Sequence, residues 1–360
     1  TVMFVLLFLG VLAWWWWSQG NKLYFAQKND WKKFLIYAAF VEVLFILVLG
    51  IFVFLRSQNP SIQATEKPMD FAFINGIARS AFFPPNDPWY AGGTINYYYF
   101  GHYLVALVSV FSGIPMKIMY NLGLALVFAL AFLNIFGIGF NAVSLLKKQN
   151  LLEGETENAF SLKKMWKDYQ GQILIGILGA FLVLICSNFD AFIQLVQNFQ
   201  ATLTTGWWQG IGWNASRVVG RGFEPDGYIT INEFPYFSFI LGDLHAHVIA
   251  LCLITLTVGL ALSWGTKLLT TIQTKTQPLW SYLAKTFSFP FSEHAANQDS
   301  IMLYGLEGLL ILVLSSIVVG SLAVTNLWDF PVFGFLIGLV VLISFLKQTG
   351  TNRFLAVKQT

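Results

Sequence analysis

Apolar residues run along this chain in long uninterrupted blocks, and the charges gather in the gaps between them. The blocks cover residues 2–17, 34–55, 97–113, 118–146, 170–189, 248–265, 308–327 and 330–346. A helix needs about 20 such residues to cross ~30 Å of hydrocarbon. Only helices and closed barrels satisfy their own backbone there, and continuous runs suit helices. The pattern predicts an all-α polytopic integral membrane protein with about eight transmembrane or re-entrant helices. Residues 1–360 then form a single transmembrane helical domain, with two long loops, 56–96 and 190–247, held out of the bilayer by Pro, Gly, aromatic and charged residues.

The Lys/Arg bias orients these spans. Lys22, Lys28, Lys32 and Lys33 place the first connection inside, so loop 56–96 faces out. Lys147, Lys148, Lys163, Lys164 and Lys167 also favour the inside, as do Lys267, Lys275 and Lys285, which puts loop 190–247 outside as well. Two full crossings at 97–113 and 118–146 break the parity. Either one of them is re-entrant or interfacial, or the 147–169 loop breaks the charge rule.

Composition agrees with the membrane reading. The 360 residues are 56% hydrophobic, 17% aromatic and 11% charged, against roughly 25% charged in soluble domains. A net charge of +3, from 21 basic and 18 acidic side chains, gives no reason to expect a nucleic-acid partner. Cys186 and Cys252 lie in apolar runs and read as small core residues. The chain opens at Thr1 in an already apolar stretch, and reads as a fragment of a longer chain cut within its first span. Two G-x-G-x-x-A matches, at Gly137 and Gly210, follow no strand and are chance.

Chemistry concentrates in the two loops. Pro68 suits a first helical position, and on the helix it opens Asp70, Ile74 and Ile77 share a face. Asp70 is either a helix N-terminal charge or a desolvated base. Asp87, between two prolines, reads as a turn residue, and Trp89 as an interface anchor or a sugar-stacking face. Tyr97, Tyr98 and Tyr99 form an aromatic belt by default. His102, one turn into an apolar run, needs a partner.

In the second loop Arg217 and Arg221 are either interfacial or phosphate clamps. Glu233, Asp243, His245 and His247 follow. On a continuous helix Asp243 and His247 share a face while His245 points away, so the three reach one divalent cation only if the segment is extended or kinked. Glu42, in the middle of the 34–55 run, supports a rival reading as the proton-relay group of a transporter or flippase of an amphiphilic or anionic substrate. A non-catalytic scaffold is a third possibility.

Several of these motifs occur together and in order. Asn96-Tyr97-Tyr98-Tyr99-Phe100-Gly101-His102-Tyr103, Asn232-Glu233-Phe234-Pro235, Gly242-Asp243-Leu244-His245-Ala246-His247 and Asn326-Leu327-Trp328-Asp329-Phe330-Pro331 resemble the YYY membrane protein family of bacteria and archaea. Where that pattern has a proline between the two histidines, this chain has Ala246. The layout is similar in turn to GT-C-type glycosyltransferases, which use polyprenyl-phosphate sugar donors. The resemblance implies transfer of a sugar to an acceptor hydroxyl on the outer face of the cell membrane, with membrane lipid around the protein. It implies Asp70, or else Asp87, as the base, with Trp89 and the tyrosines holding sugar. Arg217, Arg221, His245 and His247 would then meet the donor phosphate, and Glu233 and Asp243 would orient them or hold a divalent metal cation.

Overall fold

The computed structural model describes residues 28–150, 162–197, 213–218, 231–274 and 298–357. The block at 2–17 and Arg221 lie outside the described residues. The described chain is helical, with α1 at Lys28–Ser57, α2 at Lys67–Arg79, α3 at Phe100–Ser112, α4 at Met116–Asn150 and α5 at Leu162–Leu184. Then come α6 at Phe189–Gln197, α7 at Pro235–Leu241, α8 at Ala246–Thr274, α9 at Gln298–Thr325 and α10 at Asp329–Val357. Among the described residues no strand forms, only an isolated bridge between Asn86 and Thr94.

Among the described residues three helices are long and apolar enough to cross a membrane: Phe34–Ser57, Met116–Leu146 and Ala246–Thr266. The chain is a multi-pass membrane protein. Its long helices alternate in direction. Phe52 stacks on Phe128 and Tyr37 meets Phe140, so α1 and α4 run antiparallel. Phe140 stacks on Tyr169, which turns α5 back along α4. Asn134 donates to the Cys252 carbonyl at 2.9 Å, and Gly259 lies by Ile138, so α8 runs parallel to α4. Trp264 donates to Ser315 and Val340 packs on Gly265, which sets α9 against α8 and α10 along it. The C-terminal ends of α1, α5 and α9 therefore meet the N-terminal ends of α4, α8 and α10. This is the end away from Lys147 and Lys148.

The two runs expected at 97–113 and 118–146 form helices of unequal length. The 13 residues of α3 span about 20 Å, and Gly113 in the left-handed region (φ 69°) ends it, with Pro115 just beyond. Gly101 packs on Ile249 at the start of α8, and Gly123 of α4 packs on Val105. Of the two expected spans, Met116–Leu146 is long and apolar enough to cross a membrane, whereas Phe100–Ser112 is a shorter apolar helix.

Close approach of α4 and α5 rests on small residues, as is usual between membrane helices. A Cβ built on Gly176 would lie 2.8 Å from the Phe136 carbonyl oxygen, and one on Gly139 3.0 Å from the Gly176 Cα. Gly176→Val must therefore push the helices apart. The expected cost is about 1–3 kcal/mol, read as a lower melting temperature in detergent; an unchanged melt would reject this packing. Cys186 departs from its expected place, being exposed at the end of α5, while Cys252 is half-buried.

Candidate functional site

At the end of the bundle away from Lys147, four separated stretches of chain converge. The first is α2, capped by Glu66 and opened by Lys67-Pro68. Its buried side is Lys67, Asp70, Phe73, Ile74 and Ile77, a three-and-four spacing that lays one stripe along the helix. Asp70 is 0% exposed. The hairpin of 85–95 packs on this helix, with the Asn86 carbonyl 3.2 Å from where a Gly76 side chain would start. Asp87 is consumed in that hairpin: its Oδ1 accepts the backbone N–H of Trp89 at 2.7 Å and of Tyr90 at 3.2 Å. The turn reading of Asp87 holds, and Trp89 and Tyr90 stand exposed at the tip.

The second stretch is the start of α3. His102 is fully buried, and its Nε2 donates to Asp70 Oδ1 at 3.0 Å. Ahead of it the three tyrosines diverge. Tyr97 stacks on Phe73 and reaches His245 Nε2 through its hydroxyl at 2.7 Å, Tyr98 leans on Tyr97, and Tyr99 faces Phe83. The belt reading thus fails for Tyr97, which joins the cluster.

The third stretch links α7 to α8. Gly242 adopts φ 78° and caps α7, a conformation that favours glycine. Asp243, Leu244 and His245 then run without helix, and the His245 carbonyl caps α8 by accepting from Val248 and Ile249. Ala246 opens that helix; a proline would suit the same position. The break frees Asp243 and His245 from the helical spacing that would have separated them.

The fourth stretch is α4. The Tyr120 hydroxyl donates to the Gly242 carbonyl at 3.4 Å and accepts the Leu244 N–H at 3.1 Å, holding the link from both sides.

The result is a cluster of Asp70, Asp243 and His245 whose ligand atoms lie within 4.8 Å of one another. His245 Nδ1 sits 3.4 Å from Asp70 Oδ1 and 3.1 Å from Glu66 Oε2. Asp70 Oδ2 and Asp243 Oδ1 are buried without a hydrogen bond. Two carboxylate oxygens and an imidazole nitrogen are donors that suit a divalent cation, so these three residues could hold one. His247 does not join them. It pairs with Glu233 Oε2 at 2.7 Å, and Ser238 donates to the same oxygen at 2.9 Å. The expected trio of Asp243, His245 and His247 is thus split, with Asp70 in the third place.

The charges are unevenly held. Burial pushes the Asp70 carboxyl up, but the hydrogen bond from His102, then the imidazole of His245, bring it below the ordinary carboxylate range. Asp243 goes the other way. Burial, then the negative charge of Asp70, push it up to about 7. Burial disfavours the His245 imidazolium, yet Asp70, Asp243 and Glu66 outweigh it and raise the group to about 9. Burial also lifts the Tyr97 phenol to about 12. The hydrogen bond with His247 holds Glu233 below its usual range.

Other expected residues stand elsewhere. Arg217 lies over the Trp213 ring, 3.3 Å from its centroid, and donates to the Trp213 carbonyl and Ser216. Glu42 is exposed on the flank of α1 and has no partner among the described residues. It does not face the other described helices. Asp329 accepts from Asn326 at 2.8 Å in the turn between α9 and α10.

A family model described as uncharacterized membrane protein (DUF2298) matches residues 1–359. The chain belongs to that family. It is the YYY family, to which the tyrosine run and the Asp-x-His-x-His segment pointed. In this member Tyr97 of the run and Asp243 and His245 of the segment meet at the cluster around Asp70. No curated protein and no solved structure matches the chain.

Proposed function

We propose that this protein is a membrane glycosyltransferase of GT-C type, moving a sugar from a polyprenyl-phosphate donor to an acceptor hydroxyl on the outer face. One observation carries the reading. Asp70 and Asp243, from distant parts of the chain, share a buried cluster with His245, at the bundle end that the lysine bias turns outward. A buried carboxylate pair of split affinities is a common arrangement for proton transfer.

In this reading the acceptor oxygen attacks the anomeric carbon while the bond from that carbon to the donor phosphate oxygen breaks. The electron pair leaves with the polyprenyl phosphate, and the hydroxyl proton passes to the carboxylate pair. Asp70 Oδ2, which carries no hydrogen bond, is the receiving atom. His102 fixes Oδ1 and keeps the group ionised. Asp243, the more basic partner, takes a share of the proton. A phosphate leaving group needs no acid, only nearby positive charge.

The test is transfer of labelled sugar from polyprenyl-phosphate donors by the purified protein across a pH series. The rate is expected to rise through about pH 7, where Asp243 loses its proton, since Asp243 can take a share of the proton that reaches Asp70 only when it is itself ionised. Asp243→Asn should be slow and should lack that limb. A limb unchanged in Asp243→Asn would remove Asp243 from the proton path, and no transfer from any donor would reject the enzyme reading.

A further inference from the structure

The cluster has a cationic flank that the proton chemistry does not use. Arg56 closes the last turn of α1, four residues beyond Phe52 in the buried stripe of Leu44, Val48 and Phe52. It is 6% exposed. Its Nε donates to Asn121 Oδ1 at 2.7 Å and its Nη2 to the Ser61 carbonyl at 3.0 Å. The remaining nitrogen, Nη1, donates to no described residue and lies against Gly242, 2.4 Å from where a Cβ would be.

Lys67, at the start of α2, is 7% exposed. It stands close enough to Arg56 and Asp243 to feel both charges, and burial lowers its affinity for its proton. Among the described residues it makes no hydrogen bond and no ion pair.

Burying an ammonium group costs several kcal/mol unless an anion or a set of acceptors compensates. A second cation beside it adds to that cost. Asp243, whose charge reaches Lys67, is shared with Asp70 and His245 in the cluster. Two neighbouring, incompletely bonded cations at the edge of an acid pair suit the oxygens of a phosphate group, an anion that both guanidinium and ammonium groups bind.

We propose that Arg56 and Lys67 are the seat of a phosphate group, and that this group is the phosphate of the donor. The placement beside Asp70 rests on the transferase reading; binding itself requires no turnover. Arg56 ends an apolar helix long enough to cross the membrane, so a phosphate held there lies at headgroup depth. The group could belong to a lipid or be free phosphate. Arg217, bound to Trp213 and Ser216, is not needed for it.

The experiment measures binding of geranylgeranyl phosphate, inorganic phosphate and the uncharged alcohol geranylgeraniol to the full chain in detergent, alongside the melting temperature without ligand. Wild type is expected to bind the prenyl phosphate and not the alcohol. Loss of a charge-assisted hydrogen bond should weaken that binding about tenfold or more in Lys67→Met and in Arg56→Gln. Geranylgeranyl phosphate binding far tighter than inorganic phosphate assigns the seat to a lipid; equal affinities assign it to free phosphate. The melt separates a ligand seat from a structural lysine. Removing an uncompensated buried charge should leave the Lys67→Met melt unchanged or raised, whereas a structural lysine would lower it. Wild-type affinity in Lys67→Met, or a lowered melt, overturns the proposal. That outcome, with transfer still lost in Asp70→Asn, would leave the acid pair standing and remove only this seat.

Discussion

Asp70→Asn is expected to lower sugar transfer by roughly 10²–10⁴-fold, the usual contribution of a positioned base, with little change in thermal unfolding. The side chains are nearly the same size, and the asparagine carbonyl can still accept the hydrogen bond that His102 donates at 3.0 Å. What disappears is the negative charge and the unoccupied Oδ2. Removing the charge also relieves Asp243, whose proton affinity is raised in part by Asp70, and deprives His245 of its leading counter-charge. These two effects oppose one another in stability, so the melt should move little. A labelled-donor assay and a melt on the same preparation decide the matter. Wild-type rates in the variant would sink the assignment, and an unaltered melt shows that lost activity is lost chemistry.

Gly242→Val should be the most damaging single change to the architecture of the site. The residue sits at φ 78°, where a β-branched side chain costs about 1–3 kcal/mol in backbone strain alone. The new Cβ would also come within 2.4 Å of the Arg56 guanidinium, which is anchored to Asn121 and Ser61 and cannot swing away freely. Either the guanidinium is expelled or the link bearing Asp243 and His245 shifts. Both outcomes remove the cluster. Measured in detergent, the variant should melt at a lower temperature and lose binding of geranylgeranyl phosphate. Gly242→Ala should show a milder form of both defects. A Gly242→Val protein with a normal melt would mean that the link tolerates another backbone path.

Much of the site could be read from the chain, and the parts that could not have physical reasons. Asp70, Ile74 and Ile77 share a face in sequence and are buried together. Carrying the same spacing back one turn reaches Lys67, and carrying the α1 stripe forward one turn reaches Arg56. Both signals were present, but the ends of apolar runs read naturally as solvated boundaries. Tyr120 gave no signal, because a tyrosine among apolar neighbours looks like packing until the partner backbone is known. The fate of the Asp-x-His-x-His segment hinged on whether helix or extended chain ran through it. The spacing posed that question; only the left-handed Gly242 and the start of α8 at Ala246 answered it. The short α3 was similarly hidden, since its hydrophobicity matches that of a full span and only its Gly-Ile-Pro end marks the stop.

The hydroxyl of Tyr97 meets a histidine 148 residues further along, and the Tyr120 clamp closes over 124. During biosynthesis, then, the early helices must enter the bilayer and wait with a buried carboxylate still lacking one of its two imidazoles. Partial assemblies ending before α7 would carry the tyrosine run and yet be inert. The cluster is therefore completed only by the short link between α7 and α8, which brings both Asp243 and His245.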